Sequence, residues 1–433
     1  MQPPPDSRHD TTQLPHDPAQ RSAGAVRTTA AWMMLLALCA TFGLSQAYRT
    51  TAAMMASRLQ ADFGLSAQQL GGFAGAFHFA FGGMQLFMGI GIDLVGIRRT
   101  LLVAFPFAIA GSLVSAISSH YALVVLAQVM IGAGCAPAFL VCTVFIARTY
   151  APQRFAAVSG LVMGVGGLGM LLTATPLAWL VEAHSWRAGF LALGAASVLA
   201  WVIVFIIVRD PVAVHDPAAP APARESILSA LRSFAGLLAM PHTLGIIMLS
   251  SVTYAAFMTL RGLWLGPLLL DRFAFSLIDS GNVALLVSIV SLAGPPLFGR
   301  LPVNGARRRG WIVAFTLSYA VLFALLAMFH RPAPAIIVSV LIGFLSGFIV
   351  LQYADVRAAY PAALTGRAMA LYTMAMFLGI GVMQWATGAV ASLARARHAD
   401  PYTAVLAVIA AVLLLGAAAF TFMPRPPQSP TRE

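Results

Sequence analysis

Apolar runs of about twenty residues or more recur along this chain, and no other feature constrains its fold as strongly. Spanning ~30 Å of hydrocarbon takes ~20 residues of helix. Twelve stretches are predicted to span a membrane, at about 30–56, 67–93, 100–118, 121–147, 155–182, 187–208, 243–270, 281–301, 310–330, 333–356, 366–393 and 401–423. They are numbered here as spans 1 to 12. Of the 433 residues, 60% are hydrophobic and 9% charged, against roughly 25% charged in a soluble domain. A chain this long and this apolar cannot cover itself with polar surface, so its solvent is lipid. Glycine and proline inside the runs are ordinary for membrane helices. The first run is too long for the apolar core of a signal peptide and follows a polar tail, so it is read as a span.

The formal charge of +12 comes entirely from arginine, since the chain has no lysine. With the N-terminus placed in the cytoplasm, eighteen of the 26 arginines fall in cytoplasmic segments and six in outer ones. That is a positive-inside bias. It implies an even number of spans with both termini cytoplasmic, and it explains the basic balance without a nucleic-acid partner. Cys39, Cys135 and Cys142 lie in apolar runs without metal-ligand spacing and are packing residues.

Six spans precede a polar segment and six follow it. The predicted organisation is a cytoplasmic tail over 1–29, a six-helix bundle over 30–208, a linker over 209–242, a second bundle over 243–423 and a tail over 424–433. The linker opens with a Pro/Ala run. Its later part sets Ile227, Leu228, Leu231, Phe234, Leu237 and Leu238 on one helical face. That face suits either an interfacial helix or a short helix packed on the bundle. The halves look related: "GIRR" from Gly96 and "GARR" from Gly305 follow spans 2 and 8, and Arg154 and Arg367 follow spans 4 and 10.

The loop after span 2 reads "GIGIDLVGIRRTLL", with Gly89, Asp93, Gly96, Arg98 and Arg99 in the pattern G-x-x-x-D-x-x-G-x-R-R. Gly89 permits close helix approach. Asp93 sets a negative charge at the membrane boundary, Gly96 allows a tight turn, and the arginines hold the loop inside. In a twelve-span chain this pattern resembles the signature loop of the major facilitator superfamily. The resemblance implies two pseudo-symmetric six-helix bundles, a central cavity and alternating access. The second copy is degenerate, with Pro302 where the aspartate is expected. Span 4 carries Gln128 where the family commonly has arginine.

Arg49 in span 1 and Arg261 in span 7 sort to neither side of the membrane. They are 212 positions apart, the spacing of the internal repeat. An intramembrane charge is a functional-site signal, and related helices face each other across a transporter cavity. The pair resembles the arginines that the organic-anion and organophosphate branch of the superfamily presents from spans 1 and 7. A guanidinium fork matches carboxylate, phosphate or sulfonate. The alternative is that either arginine snorkels to outer headgroups.

Further polar residues suggest a path. Gln46 precedes Arg49 by about one turn, His78, Gly82, Gln85 and Gly89 share one face of span 2, and Gln352, Tyr353, Tyr372 and Gln384 lie in spans 10 and 11. His78 is the one mid-span group that could carry a coupling proton. If it stays neutral, exchange or facilitated diffusion fits better.

Without lysine there is no phosphate loop of the G-x-x-x-x-G-K type. "GVGGLG" from Gly164 sits inside a span and reads as helix packing. No catalytic triad or metal-ligand arrangement is visible, so neither enzyme activity nor a cofactor is expected. The expected protein is a monomeric multi-pass carrier of a small organic anion in a bacterial inner membrane, with a proton or a second anion as possible counterpart. The competing reading is an efflux carrier for drug-like or siderophore-like amphiphiles, in which Trp179, Trp264 and Trp385 line a larger cavity.

Overall fold

The computed structural model describes residues 18–150, 152–210, 234–301 and 305–426. Among them there is no strand, and the chain is helical nearly throughout. Eleven helical runs are long and apolar enough to cross a membrane. The remaining expected stretch, 67–93, is the 29-residue helix Ala67–Val95. Pro302 and most of the linker, including its apolar face up to Leu231, lie outside the described residues. The first helix starts at Pro18, inside the stretch expected to be tail.

The spans are not uniform rods, and their irregularities fall in related pairs. Span 1 is two helices, Pro18–Tyr48 and Thr51–Phe63. Span 7 runs Pro241–Thr259 and then takes π-helical turns at Leu260–Trp264 and Leu268–Arg272. Span 4 breaks between Tyr121–Cys135 and Ala138–Thr149, where Pro137 lacks an N–H to continue the ladder. Span 10 breaks through a 3₁₀ turn at Ser346–Phe348. Spans 1 and 7, and spans 4 and 10, are the pairs the sequence repeat relates. Span 5 is also broken, into Pro152–Gly167, Gly169–Leu172 and Thr175–Ala183. Its partner, span 11, is one helix of 35 residues, Ala362–Ala396.

Arg98 lies at one end of the bundle and Asp62 at the other. Four helices begin at the Asp62 end with a side-chain cap, on Ser66, Ser185, Ser276 and Asp400. These caps satisfy amide groups that have no intrahelical partner. Each half ties its first span to its sixth there. Asp62 accepts from the Trp186 indole at 2.7 Å and from Arg187 at 2.9 Å. Asp271 accepts from the Tyr402 hydroxyl, and Arg272 pairs with Asp400.

The halves meet along two lateral seams, span 2 on span 11 and span 5 on span 8, and span 1 also packs directly on span 7. Along the first, a Cβ on Gly75 would stand 2.9 Å from the Gly381 carbonyl oxygen, and one on Gly71 would stand 3.0 Å from the Gly388 Cα. Along the second, a Cβ on Gly281 would meet the Ala178 Cβ at 2.8 Å. Hydrogen bonds cross near the same end, from the Gln68 amide to Ser392 at 2.9 Å and from Thr175 to Asn282 at 2.8 Å. Small residues let backbones touch where larger ones would hold them apart, so the halves are sealed toward the Asp62 end.

Two local expectations change. Arg49 does not sit within a helix: it occupies the turn between the two pieces of span 1. Gly89 is not a point of close approach, since a Cβ there would make ordinary contact with Leu140 at 3.9 Å. In the "GVGGLG" run, Gly166, Gly167 and Gly169 do pack tightly, against Phe42, Leu292 and Gly43.

Candidate functional site

Both arginines are buried at helix irregularities. Arg49, 6% exposed, occupies the turn in span 1, and Arg261, fully buried, lies in the first π-helical turn of span 7. Their backbones nearly touch, because Gly262 has no side chain: a Cβ there would be 3.0 Å from the Arg49 carbonyl oxygen.

Their heads diverge. The Arg49 guanidinium lies over two phenyl rings, Phe81 of span 2 at 4.5 Å and Phe377 of span 11 at 4.6 Å. It donates to Gln46 Oε1 and, at 3.4 Å, to Ser45 Oγ, while its Nε has no partner. Arg261 donates from Nε to Ser288 Oγ of span 8 at 2.8 Å and from Nη2 to the Met170 carbonyl of span 5 at 3.2 Å. Its Nη1 has no partner. Each arginine therefore bridges one seam, touching a span on either side of it, and Arg49 also faces the Tyr254 side chain of span 7. Among the described residues neither has a carboxylate within ion-pair distance. Cation–π contacts contribute about 2 kcal/mol when desolvated, far less than a buried ion loses in hydration.

Gln46, His78 and Gln384 gather around Arg49. The His78 ring stacks on Phe377 with centroids 6.5 Å apart and meets Phe77 edge-on at 5.1 Å. Its Nδ1 lies 3.2 Å from the Ala74 carbonyl oxygen, and its Nε2 is unpartnered. Gln384 donates to the Met258 carbonyl at 3.4 Å, and its side chain faces His78. The remaining polar residues form other groups. Gln352 accepts from Thr253 at 3.1 Å and from Tyr372 at 3.0 Å, and Tyr353 packs edge-on to Tyr372. Gln85 donates to the Ala136 carbonyl that the break in span 4 frees. Asp355, 5% exposed, pairs with Arg308 at 3.4 Å and Arg309 at 3.6 Å.

The signature loop turns at Gly96, whose φ of 93° is left-handed. Asp210 packs against this glycine and accepts from the Arg98 amide at 2.9 Å, capping the following helix. The Arg98 guanidinium donates to the Phe205 carbonyl at 2.8 Å, and Arg99 is exposed. Asp210, Phe81, Phe377, Ser288 and the Met170 carbonyl escaped sequence reasoning. Phe81 alone had a signal, since it continues the stripe of His78 and Gln85. Of the three tryptophans in the efflux reading, Trp264 is buried, with its indole donating to Thr387 at 3.0 Å. Trp179 and Trp385 are exposed.

Broken membrane helices paired by an internal repeat, with buried charges at the breaks, are the architecture of a carrier. Residues 33–383 match the model of the Major Facilitator Superfamily, and the chain belongs to that family. It is an integral multi-pass membrane protein and a transporter, not an enzyme. Over 177 residues it is 26% identical to a probable sulfoacetate transporter, SauU, of Cupriavidus necator, a match covering 40% of each chain. The fold is similar to that of a D-xylose–proton symporter, with a TM-score of 0.72, 13% identity and coverage of 92% of this chain and 98% of that one. It is also similar to a bacterial homologue of the human lysosomal transporter Spinster in an inward-facing, occupied conformation. That likeness has a TM-score of 0.68, 16% identity and coverage of 89% of this chain and 95% of that one.

Proposed function

We propose that this protein carries a small organic anion, with a carboxylate, phosphate or sulfonate group, by alternating access of two six-helix bundles. The observation that carries this reading is the pair of buried guanidiniums with no carboxylate partner among the described residues. Each keeps an unpartnered N–H. An incoming anion supplies the charge that the protein withholds, and charge-assisted hydrogen bonds are about twice as strong as neutral ones. The relative described as a probable sulfoacetate transporter supports the class, since sulfoacetate bears two such groups. In this reading both termini and the Arg98 end are cytoplasmic, in a bacterial inner membrane. The seams at the Asp62 end then close the path to the outside. His78, packed between phenyl rings, is neutral, and transport proceeds by exchange or facilitated diffusion.

The test is thermal unfolding of the purified protein with sulfoacetate, inorganic phosphate, simple carboxylates and uncharged amphiphiles. A ligand at ~100 times its Kd stabilises by about 2.7 kcal/mol. Anions should raise the midpoint of the wild type and not of Arg49→Ala. If amphiphiles raise both equally and anions raise neither, the anion reading is wrong.

A further inference from the structure

We propose that Arg261 is a latch on the span 5/span 8 seam, holding the Asp62 end closed until an anion draws its guanidinium away. The release step rests on the anion reading above; the latch does not.

The latch has a built receptor. Where span 5 breaks, the Ala174 amide bonds to the Leu171 carbonyl instead of continuing the helical ladder to Met170. The Met170 carbonyl is thereby left to accept from the Thr173 hydroxyl at 3.2 Å and from Arg261 Nη2 at 3.2 Å. Ser288, which holds Nε at 2.8 Å, is fixed in turn by donating to the Ala284 carbonyl at 2.7 Å. The guanidinium thus joins both walls of one seam, on the same line as the Gly281–Ala178 contact. Its counterpart is different in kind. Arg49 meets the span 2/span 11 seam through the Phe377 ring and not through a backbone carbonyl, and its other side-chain contact across the halves is Tyr254 of span 7.

Release follows from relative strength. A neutral carbonyl and a hydroxyl are weaker partners for a guanidinium than an anionic oxygen. The unpartnered Nη1 gives an anion its first contact. As the anion takes Nη2 from Met170, the seam loses its charged link and the halves can part. The coupling runs both ways: closing the seam expels the anion from Arg261.

The test places a cysteine at Ala178, which is fully buried at the seam. Its labelling by a membrane-impermeant maleimide is followed in proteoliposomes without added anion. Arg261→Gln should label at least tenfold faster than the parent, and Arg261→Lys should restore part of the protection, since lysine keeps the charge but not the fork. Ser288→Ala should label severalfold faster, and it carries the test if Arg261→Gln does not fold. Equal rates in the parent and in the folded variants would overturn the latch. Sulfoacetate and inorganic phosphate form the second arm, expected to speed labelling of the parent and not of Arg261→Gln. Fast labelling of Arg261→Gln with no anion effect on any protein keeps the latch and removes the anion reading. Anion stabilisation of the parent with slow labelling of Arg261→Gln does the reverse.

Discussion

Arg49 and Arg261 stand back to back. Their helices cross at Gly262, a peptide's width from the Arg49 carbonyl, yet one head turns to Phe81 and Phe377 and the other to Ser288 and Met170. Span 1 corresponds to span 7, span 2 to span 8 and span 11 to span 5, so the two contacts are the same relationship seen twice. The internal repeat places the arginines, and each seam then gives its arginine a different chemistry, aromatic at one and hydrogen-bonding at the other.

Arg49→Met should separate stability from function. The guanidinium is buried without a counter-ion among the described residues, and such a charge is a net cost to the folded state. The variant should unfold at or above the ligand-free wild-type temperature and show no anion-dependent shift. Arg49→Lys should bind at least about tenfold more weakly, or about 1.4 kcal/mol, for want of the planar fork. Unfolding curves with and without anion read both effects.

His78→Gln should leave the pH profile of transport unchanged. The ring is 1% exposed and lies between Phe77 and Phe377. Uptake into proteoliposomes between about pH 5 and 8, the range in which an unperturbed histidine titrates, is the measurement. Loss of a pH-dependent limb in the variant would make His78 a coupling group.

Gly75→Val should pry spans 2 and 11 apart. Its side chain has no room, with the Gly381 carbonyl oxygen 2.9 Å from the Cβ position. Spin labels at Gln68→Cys and Arg397→Cys should report a longer distance across the Asp62 end. The distance should be unchanged in Gly83→Val, since nothing lies within 4 Å of a Cβ there.

The tie between spans 1 and 6 has a signed pH dependence. The Trp186 indole N–H, followed by the Arg187 guanidinium, holds the Asp62 carboxyl below its ordinary 3.8, against partial burial, which raises it. A depressed carboxylate contributes stability above the ordinary value and loses it as pH falls through the depressed one. The wild type should therefore unfold at a higher temperature than Asp62→Asn at pH 7, and the difference should begin to shrink as the pH drops below about 4 and vanish once it is below the depressed value. Asp62 is largely exposed, so the margin at pH 7 should be small, under about 1 kcal/mol.

Much of this was legible in the residues. Run length and the scarcity of charge gave the membrane-spanning helices, because hydrocarbon thickness sets one minimum length for every span. The turn at Gly96 was legible too, since the loop reverses there with a left-handed φ. The spacing of Arg49 and Arg261 marked both as related positions. The breaks were not legible: spans 1 and 7 read as unbroken apolar runs, and a membrane helix can unwind wherever neighbours satisfy its freed backbone groups. The partners were hidden for a similar reason. Met170 contributes a backbone carbonyl, which every residue possesses, and Phe377 is one of 27 phenylalanines in a chain full of apolar residues.

The sequence by itself determined the solvent, the helical class and the family, because these depend on composition, run length and a local motif. Only the tertiary structure decided where the charged heads point. Side-chain direction at a broken helix depends on which carbonyls and rings the other half brings within about 5 Å, and that is fixed by packing along the seams.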